Sequence, residues 1–189
     1  MIGTPLSAGM VIELQPKKAG WSGRGRNQMA TVSPVLEKRH HDHRRCTADA
    51  LRHAEAISRR EGLRLTDQRR AVLAALLESH VPASAYDVID RIAENGRRPA
   101  PISVYRALDF LVEHRFAHRI ESRNAYVACD RGADCAGETA LFLLCDKCGA
   151  AGEASSAGLH RIIAEVTSEV GFTPSAPVVE IRGLCANCR

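Results

Sequence analysis

Apolar residues recur at helical spacing through the middle of the chain. A first helix is predicted over residues 47–61, opened by Thr47 and closed by Gly62. Thr66 is the next N-cap, with Asp67 in the first turn and Val72, Leu73, Leu76 and Leu77 as the apolar stripe; Pro82 ends that helix. Ser84 caps a third helix carrying Val88, Ile89 and Ile92 on one face and closing at Asn95-Gly96. Pro99 and Pro101 then frame a turn, and Ser103 opens a fourth helix. Its Val104, Leu108, Leu111 and Val112 face inward, leaving Tyr105, Arg106 and Asp109 on other faces. After Arg115 the helical period gives way to strict alternation. Residues 116–121 and 125–129 predict two strands joined by a polar turn at 122–124. Helices followed by a hairpin is the order of a winged helix-turn-helix, in which the helix before the hairpin can enter a DNA major groove and the hairpin is the wing.

The remainder predicts a small α/β unit. Residues 139–144 read as a buried strand and residues 151–154 as a short one. A helix over 156–170 has Leu159, Ile162, Ile163 and Val166 as its stripe and ends at Gly171; residues 176–183 form the last strand. The expected division is a basic tail without structure at 1–46, a winged-helix domain at 47–129, a hinge at 130–137 and a metal-bearing domain at 138–189. The tail is rich in Gly, Ser, Pro and basic residues and buries too little apolar surface to offset its ordering entropy. The His40–Cys46 run, His-His-Asp-His-Arg-Arg-Cys, lies in that tail, and a solvated basic segment is the expected reading of it. The fold class is therefore α+β.

Composition narrows the setting. No apolar run approaches the roughly 20 residues that a helix needs to cross a bilayer, and no basic start with a short apolar stretch marks a secretory signal. Seven cysteines without an export signal predict a cytoplasmic protein that uses its thiols for metal or redox chemistry rather than disulfides. Lys and Arg outnumber Asp and Glu thirteen to ten over residues 51–128, whereas five face eight over residues 129–189. A basic half suits a polyanionic partner and an acidic half suits cations.

The strongest chemical signal is a pair of Cys-x-x-Cys motifs, Cys145/Cys148 and Cys185/Cys188. Together they supply the four-sulfur tetrahedral shell that Zn²⁺ favours, closed to substrate and therefore structural. The 36 residues between the pairs exceed the roughly 15–20 of a simple zinc ribbon, so the intervening chain must fold on its own. A second set is His118 and Cys129 on the two wing strands with Glu138 and Glu153 flanking the first Cys pair. Zn²⁺ accepts such a mixture of nitrogen, sulfur and oxygen, but spacing alone slightly favours the plainer reading of a wing His, a buried Cys and two solvated Glu. No nucleophile–base–orienter pattern and no glycine-rich phosphate cradle occurs, so an enzyme is not expected. Ser103, Tyr105 and Arg106 on the fourth helix and Tyr86 on the third are of types that meet bases and phosphates.

Over residues 50–189 the chain resembles the ferric uptake regulator family, and within it the zinc uptake regulator branch. The resemblance rests on Leu65-Thr-Asp-Gln-Arg69, Ser84-Ala-Tyr-Asp87, Val104-Tyr-Arg-Ala-Leu108, Leu144-Cys-Asp-Lys-Cys-Gly149 and Gly183-Leu-Cys-Ala-Asn-Cys188. It implies a homodimeric, metal-dependent repressor of palindromic operators, with an N-terminal winged helix and a C-terminal dimerisation domain. It also implies one structural and one regulatory zinc per chain. His118, Cys129 and Glu153 fall where that branch has sensory zinc ligands, while Glu138 stands where it often has His, with Asp134 or Cys135 as substitutes. By the same resemblance Tyr86 and Arg106 are expected at DNA bases and Ser103 and Tyr105 at the DNA backbone. An iron or peroxide sensor of the same family and a metal-stabilised interaction module remain alternatives at this point.

Overall fold

The computed structural model describes residues 31–32, 43–94, 96–129, 139–174 and 177–189. Helix α1 (His43–Arg60) opens the N-terminal half, followed by α2 (Asp67–Leu77), α3 (Ala85–Glu94) and α4 (Pro101–Glu113). The Thr66 hydroxyl accepts from the Arg69 N–H at 3.4 Å, which starts α2 as its sequence predicts. At α3 a reciprocal capping box forms: the Ser84 N–H donates to Asp87 at 2.8 Å and the Asp87 N–H donates to the Ser84 hydroxyl at 3.2 Å. Hydrogen bonds from the Ser84 hydroxyl and N–H hold the Asp87 carboxyl below its usual range.

Three boundaries differ from expectation. Helix α1 begins at His43 rather than at residue 47. Helix α2 ends at Leu77, well before Pro82; the Ser79 hydroxyl accepts from the Val81 N–H at 3.1 Å and gives the backbone a local alternative to another helical turn. Helix α4 opens at Pro101, not at Ser103, because a proline at the first helical position lacks only an N–H that the helix leaves unbonded anyway.

The core of this half is aliphatic. Val72, Leu73 and Leu76 of α2, Val88 and Ile89 of α3, and Val104, Leu108 and Leu111 of α4 are buried together with Ala54 and Ile57 of α1. Arg69 of the LTDQR stretch lays its guanidinium over the Phe110 ring, 3.4 Å from the centroid, and so covers the outer edge of the core. Leu108 has no exposed surface, so Leu108→Ala is expected to destabilise the winged-helix half by about 3 kcal/mol, which thermal denaturation followed by circular dichroism will register.

Strands β2 (Ala117–Ile120) and β3 (Ala125–Ala128) pair antiparallel and are joined by a 3-10 turn at Glu121–Arg123, with Asn124 at φ 45° to close it. Ala83, just before α3, exchanges backbone hydrogen bonds with Tyr126 at 2.8 Å each way and ties the wing to the helices. The C-terminal half contains β4 (Ala140–Cys145), β5 (Ala151–Ser155), α5 (Ala157–Glu169) and β6 (Val178–Gly183). Its sheet also includes β1 (Thr31–Val32), which adds to the edge of β5, giving the order β1-β5-β4-β6 with β4 and β6 parallel. Thr31 and Val32 thus form a strand within a segment expected to be without structure.

The stripe of α5 also departs from expectation. No residue of α5 is buried, and Ile162 and Val166 are 55% and 57% exposed. Its periodicity marks an amphipathic helix, but no described residue of the chain buries that apolar face. Val170, Phe172, Val178, Ile181 and Leu184 extend the exposed apolar surface.

A second, smaller core joins the two halves. Ile120 and Val127 of the wing pack with Phe142 and Leu144 of β4 and with Ala151 of β5. This contact seats the wing on the sheet and brings its His and Cys to the strand that bears Glu153.

Candidate metal and nucleic-acid sites

Cys145 ends β4 and is buried; Cys148 is exposed in the turn that follows; Cys185 and Cys188 are half-buried just past β6. The four sulfurs lie within 4.8 Å of one another. Zn–S bonds of about 2.3 Å place two ligands of a tetrahedral shell about 3.8 Å apart, and the Cys148 and Cys185 sulfurs are separated by 3.9 Å. The parallel pairing of β4 with β6 sets Cys145 opposite Gly183, so that each strand delivers its Cys pair to the same end of the sheet.

Electrostatics within the cluster is divided. Backbone N–H donors, first that of Cys148 and then that of Cys185, draw the Cys145 thiol down to about 6. The Cys188 thiol is pushed up to about 12, first by its hydrogen bond with the Cys185 side chain and then by desolvation. Four thiolates at this spacing repel, so one sulfur is favoured as thiolate and another as thiol. A divalent cation resolves that conflict by taking all four as thiolates.

The second cluster combines the two halves of the chain. His118 of β2, Cys129 immediately after β3 and Glu153 of β5 bring their ligand atoms within 4.8 Å of one another. His118 Nε2 stands 3.5 Å and the Cys129 sulfur 3.7 Å from Glu153 Oε2. Zinc bonds of about 2.0–2.3 Å to N, O and S predict tetrahedral edges of about 3.4–3.6 Å. Glu153 is 4% exposed, and a buried carboxylate needs a cation or strong donors facing it. The His118 ring rests against Phe142, 5.1 Å between centroids, which fixes the plane of the imidazole. Glu138, proposed by sequence as the fourth member, lies outside the described residues, as do Asp134, Cys135 and the expected hinge.

The residues expected at DNA occupy the outer faces of α3 and α4. Tyr86 is 62% exposed, Arg106 and Tyr105 are exposed, and Ser103 is half-buried at the first turns of α4. Ile102 beside them is 60% exposed. Apolar and aromatic groups left in water on the helix face of a winged helix, with Arg106 among them, suit a surface that is covered when a partner arrives.

Sequence reasoning passed over Arg123 and Glu180. Arg123 in the wing turn donates to the carbonyls of Gly149 at 2.6 Å and Cys145 at 3.0 Å. Glu180 of β6 accepts from the N–H groups of Glu121 at 2.7 Å and Ser122 at 3.3 Å. Neither belongs to a motif; a lone Arg and a lone Glu carry no spacing signal.

The chain is similar to several known proteins. Residues 60–182 match the sequence model of the ferric uptake regulator family. The zinc uptake regulation protein of Escherichia coli (strain K12) is 39% identical over 142 residues, covering 75% of this chain and 82% of that protein. A zinc uptake regulator complexed with zinc and DNA superposes with a TM-score of 0.70 at 38% identity, covering 75% of this chain and 93% of that one. The crystal structure of holo XcZur superposes with a TM-score of 0.68 at 37% identity, covering 74% and 96%.

Proposed function

The chain belongs to the ferric uptake regulator family, and from that premise we propose that it is a zinc-responsive transcriptional repressor. As a zinc-loaded homodimer it binds palindromic operator DNA and controls genes of zinc uptake. The observation that carries this reading is the second cluster. It joins two wing residues, His118 and Cys129, to a carboxylate of the C-terminal sheet, Glu153, at spacings that suit zinc. A thiolate among the donors favours zinc over Fe²⁺ or Mn²⁺, which weighs against an iron-sensing alternative. A closed four-sulfur shell leaves no open coordination position, which weighs against a zinc enzyme.

When bound, zinc supplies a fixed positive centre that holds ligands from separate segments at set distances. His118 and Cys129 present the wing side of that centre and Glu153 the sheet side, with Glu138 as the proposed fourth ligand. Joining them fixes the angle between the winged helix and the dimerisation domain. In a two-fold dimer that angle sets the separation of the two α4 helices, which has to match the half-sites of the operator. Arg106 and Tyr86 then read bases, and Ser103 and Tyr105 grip phosphates. Cys145, Cys148, Cys185 and Cys188 hold a separate ion that stays in place and closes the C-terminal fold. The exposed apolar face of α5 and β6 is the surface a second copy covers. No helix among the described residues is long and apolar enough to cross a membrane, and we place the protein in the cytoplasm with its operator.

Elemental analysis of the purified dimer tests the two-ion reading. Two zinc ions per chain are expected in the loaded form, falling to one after mild chelation with the dimer mass unchanged. DNA duplexes selected from a random pool should be released at the same step. A single ion that never changes, with DNA binding indifferent to the chelator, overturns the proposed sensory site.

A further inference from the structure

The sensory cluster touches the wing at its base, but the wing has a second attachment at its tip. The 3-10 turn Glu121–Arg123 is bonded to the first Cys pair through Arg123 and to the middle of β6 through Glu180. Arg123 reaches down with both terminal guanidinium nitrogens, Nη2 and Nη1, to the carbonyls of Cys145 and Gly149, at 3.0 and 2.6 Å, and these bonds are partly buried. The Glu180 carboxylate receives the N–H groups of Glu121 and Ser122, at 2.7 and 3.3 Å. A carboxylate at the start of a helical turn and a guanidinium on backbone carbonyls are both charge-assisted contacts, stronger than neutral hydrogen bonds.

The surface receiving the tip is the metal knuckle itself. The Cys145 carbonyl that accepts from Arg123 also accepts from the Gly149 N–H at 3.1 Å, and the Cys145 sulfur accepts from the Cys185 N–H at 3.5 Å. Gly149 adopts φ +78°, and a Cβ there would come within 3.3 Å of Val81 of the winged helix. The Ala151 N–H donates to the His80 carbonyl at 3.1 Å. The four-Cys knuckle is therefore shaped to carry the wing as well as to close its own fold.

We propose that Arg123 and Glu180 are positioning residues for the sensory zinc site. They form a metal-free latch that pins the wing tip to the four-Cys knuckle, so that sensory zinc has only the wing base left to fix. This inference rests on the proposed sensory role of His118, Cys129 and Glu153. His118 lies three residues from Glu121, about 10 Å along the strand. With the tip held, His118 and Cys129 can move relative to Glu153 only by a short swing. With the tip free, the wing is held to the C-terminal half only by the packing of Ile120 and Val127, and zinc binding at the base has to hold strands that are more loosely seated. The latch therefore raises sensory zinc affinity, and by reciprocity zinc tightens the latch.

The test uses the full-length dimer and two variants on opposite sides of the contact. Arg123→Met keeps an unbranched stem and loses the guanidinium; Glu180→Gln keeps shape and loses the charge. Sensory zinc affinity is measured without DNA by competition with a chromogenic chelator, alongside dimer mass and the count of non-exchangeable zinc. Both variants should bind sensory zinc about tenfold more weakly, with one non-exchangeable ion and the dimer retained. Wild-type zinc affinity in both variants overturns the latch, even if Arg123→Met binds DNA less well, because that loss alone would report a phosphate contact of Arg123. If Arg123→Met sheds the non-exchangeable ion, Glu180→Gln decides by the same readout, since its carboxamide retains an oxygen to accept from the turn. A wild-type dimer with no exchangeable zinc overturns the sensory reading itself, and does so before any variant is compared.

Discussion

Cys148→Ser is expected to unfold the C-terminal half and to dissociate the dimer. Cys148 is exposed, so its replacement removes little buried surface and no core packing. Its sulfur stands 3.9 Å from that of Cys185, the separation of two ligands on one zinc. Apparent binding of a structural zinc is worth about 10–16 kcal/mol near neutral pH, more than a small domain's whole stability of about 5–15 kcal/mol. The half that depends on it has little else. Its sheet has one small core, built round Phe142 and shared with the wing, and no described residue of its helix is buried in a single chain. Ultracentrifugation and zinc analysis will show a monomer that has lost its non-exchangeable ion. A Cys148→Ser dimer with a wild-type melting transition would remove the metal from the account of this fold.

His118→Ala is the second large effect, and it should spare what Cys148→Ser destroys. The side chain is half-buried on β2 and contributes one nitrogen to a cluster whose other described members come from the strand end after β3 and from β5. Without it the wing side of the cluster is left with Cys129, and an incomplete shell does not hold zinc at low free concentrations. DNA affinity measured in zinc by fluorescence anisotropy should drop about 100-fold, which corresponds to about 2.7 kcal/mol of coupling between zinc and DNA. The dimer and the four-Cys ion should persist. Glu153→Gln is expected to act in the same direction through the opposite side of the site. If His118→Ala binds operator as tightly with zinc removed as the wild type does with zinc present, the domain angle is not under the control of this cluster.

The parts of this molecule that a reader of the sequence can find are those with a local cause. Thr66 and Ser84 cap α2 and α3 because a hydroxyl three residues ahead of a free N–H is a local arrangement. The four-Cys site announces itself because two pairs at a two-residue gap have few other uses. The wing follows from a change of period after Arg115. The second cluster is different. His118, Cys129 and Glu153 are spread over 36 positions and meet only because Ile120 and Val127 pack on Phe142 and Leu144. Spacing cannot report that contact: residue types made these three candidates, and it took resemblance to a family to raise them above the plainer reading. The stripe of α5 shows the same limit from the other side. Its periodicity marks an apolar face, but not whether anything in the same chain covers it. Arg123 and Glu180 left no trace at all, because a latch between two lone charged residues needs no repeat, no motif and no composition.

The register of the one parallel strand pair carries a further consequence. Strands β4 and β6 run side by side with Cys145 opposite Gly183, although some three dozen residues separate the two Cys pairs. A one-residue slip would carry Cys185 about 3.3 Å along the sheet, farther than the whole length of a zinc–sulfur bond of about 2.3 Å. It would also turn Glu180 to the opposite face, away from the wing. A slipped chain therefore cannot gather four sulfurs round one ion, and it cannot seat the wing tip either. An ion held by these four sulfurs would act as a proofreader of strand pairing: only molecules folded in the right register could retain it, so metal retention would sort finished molecules from misassembled ones before DNA is ever met.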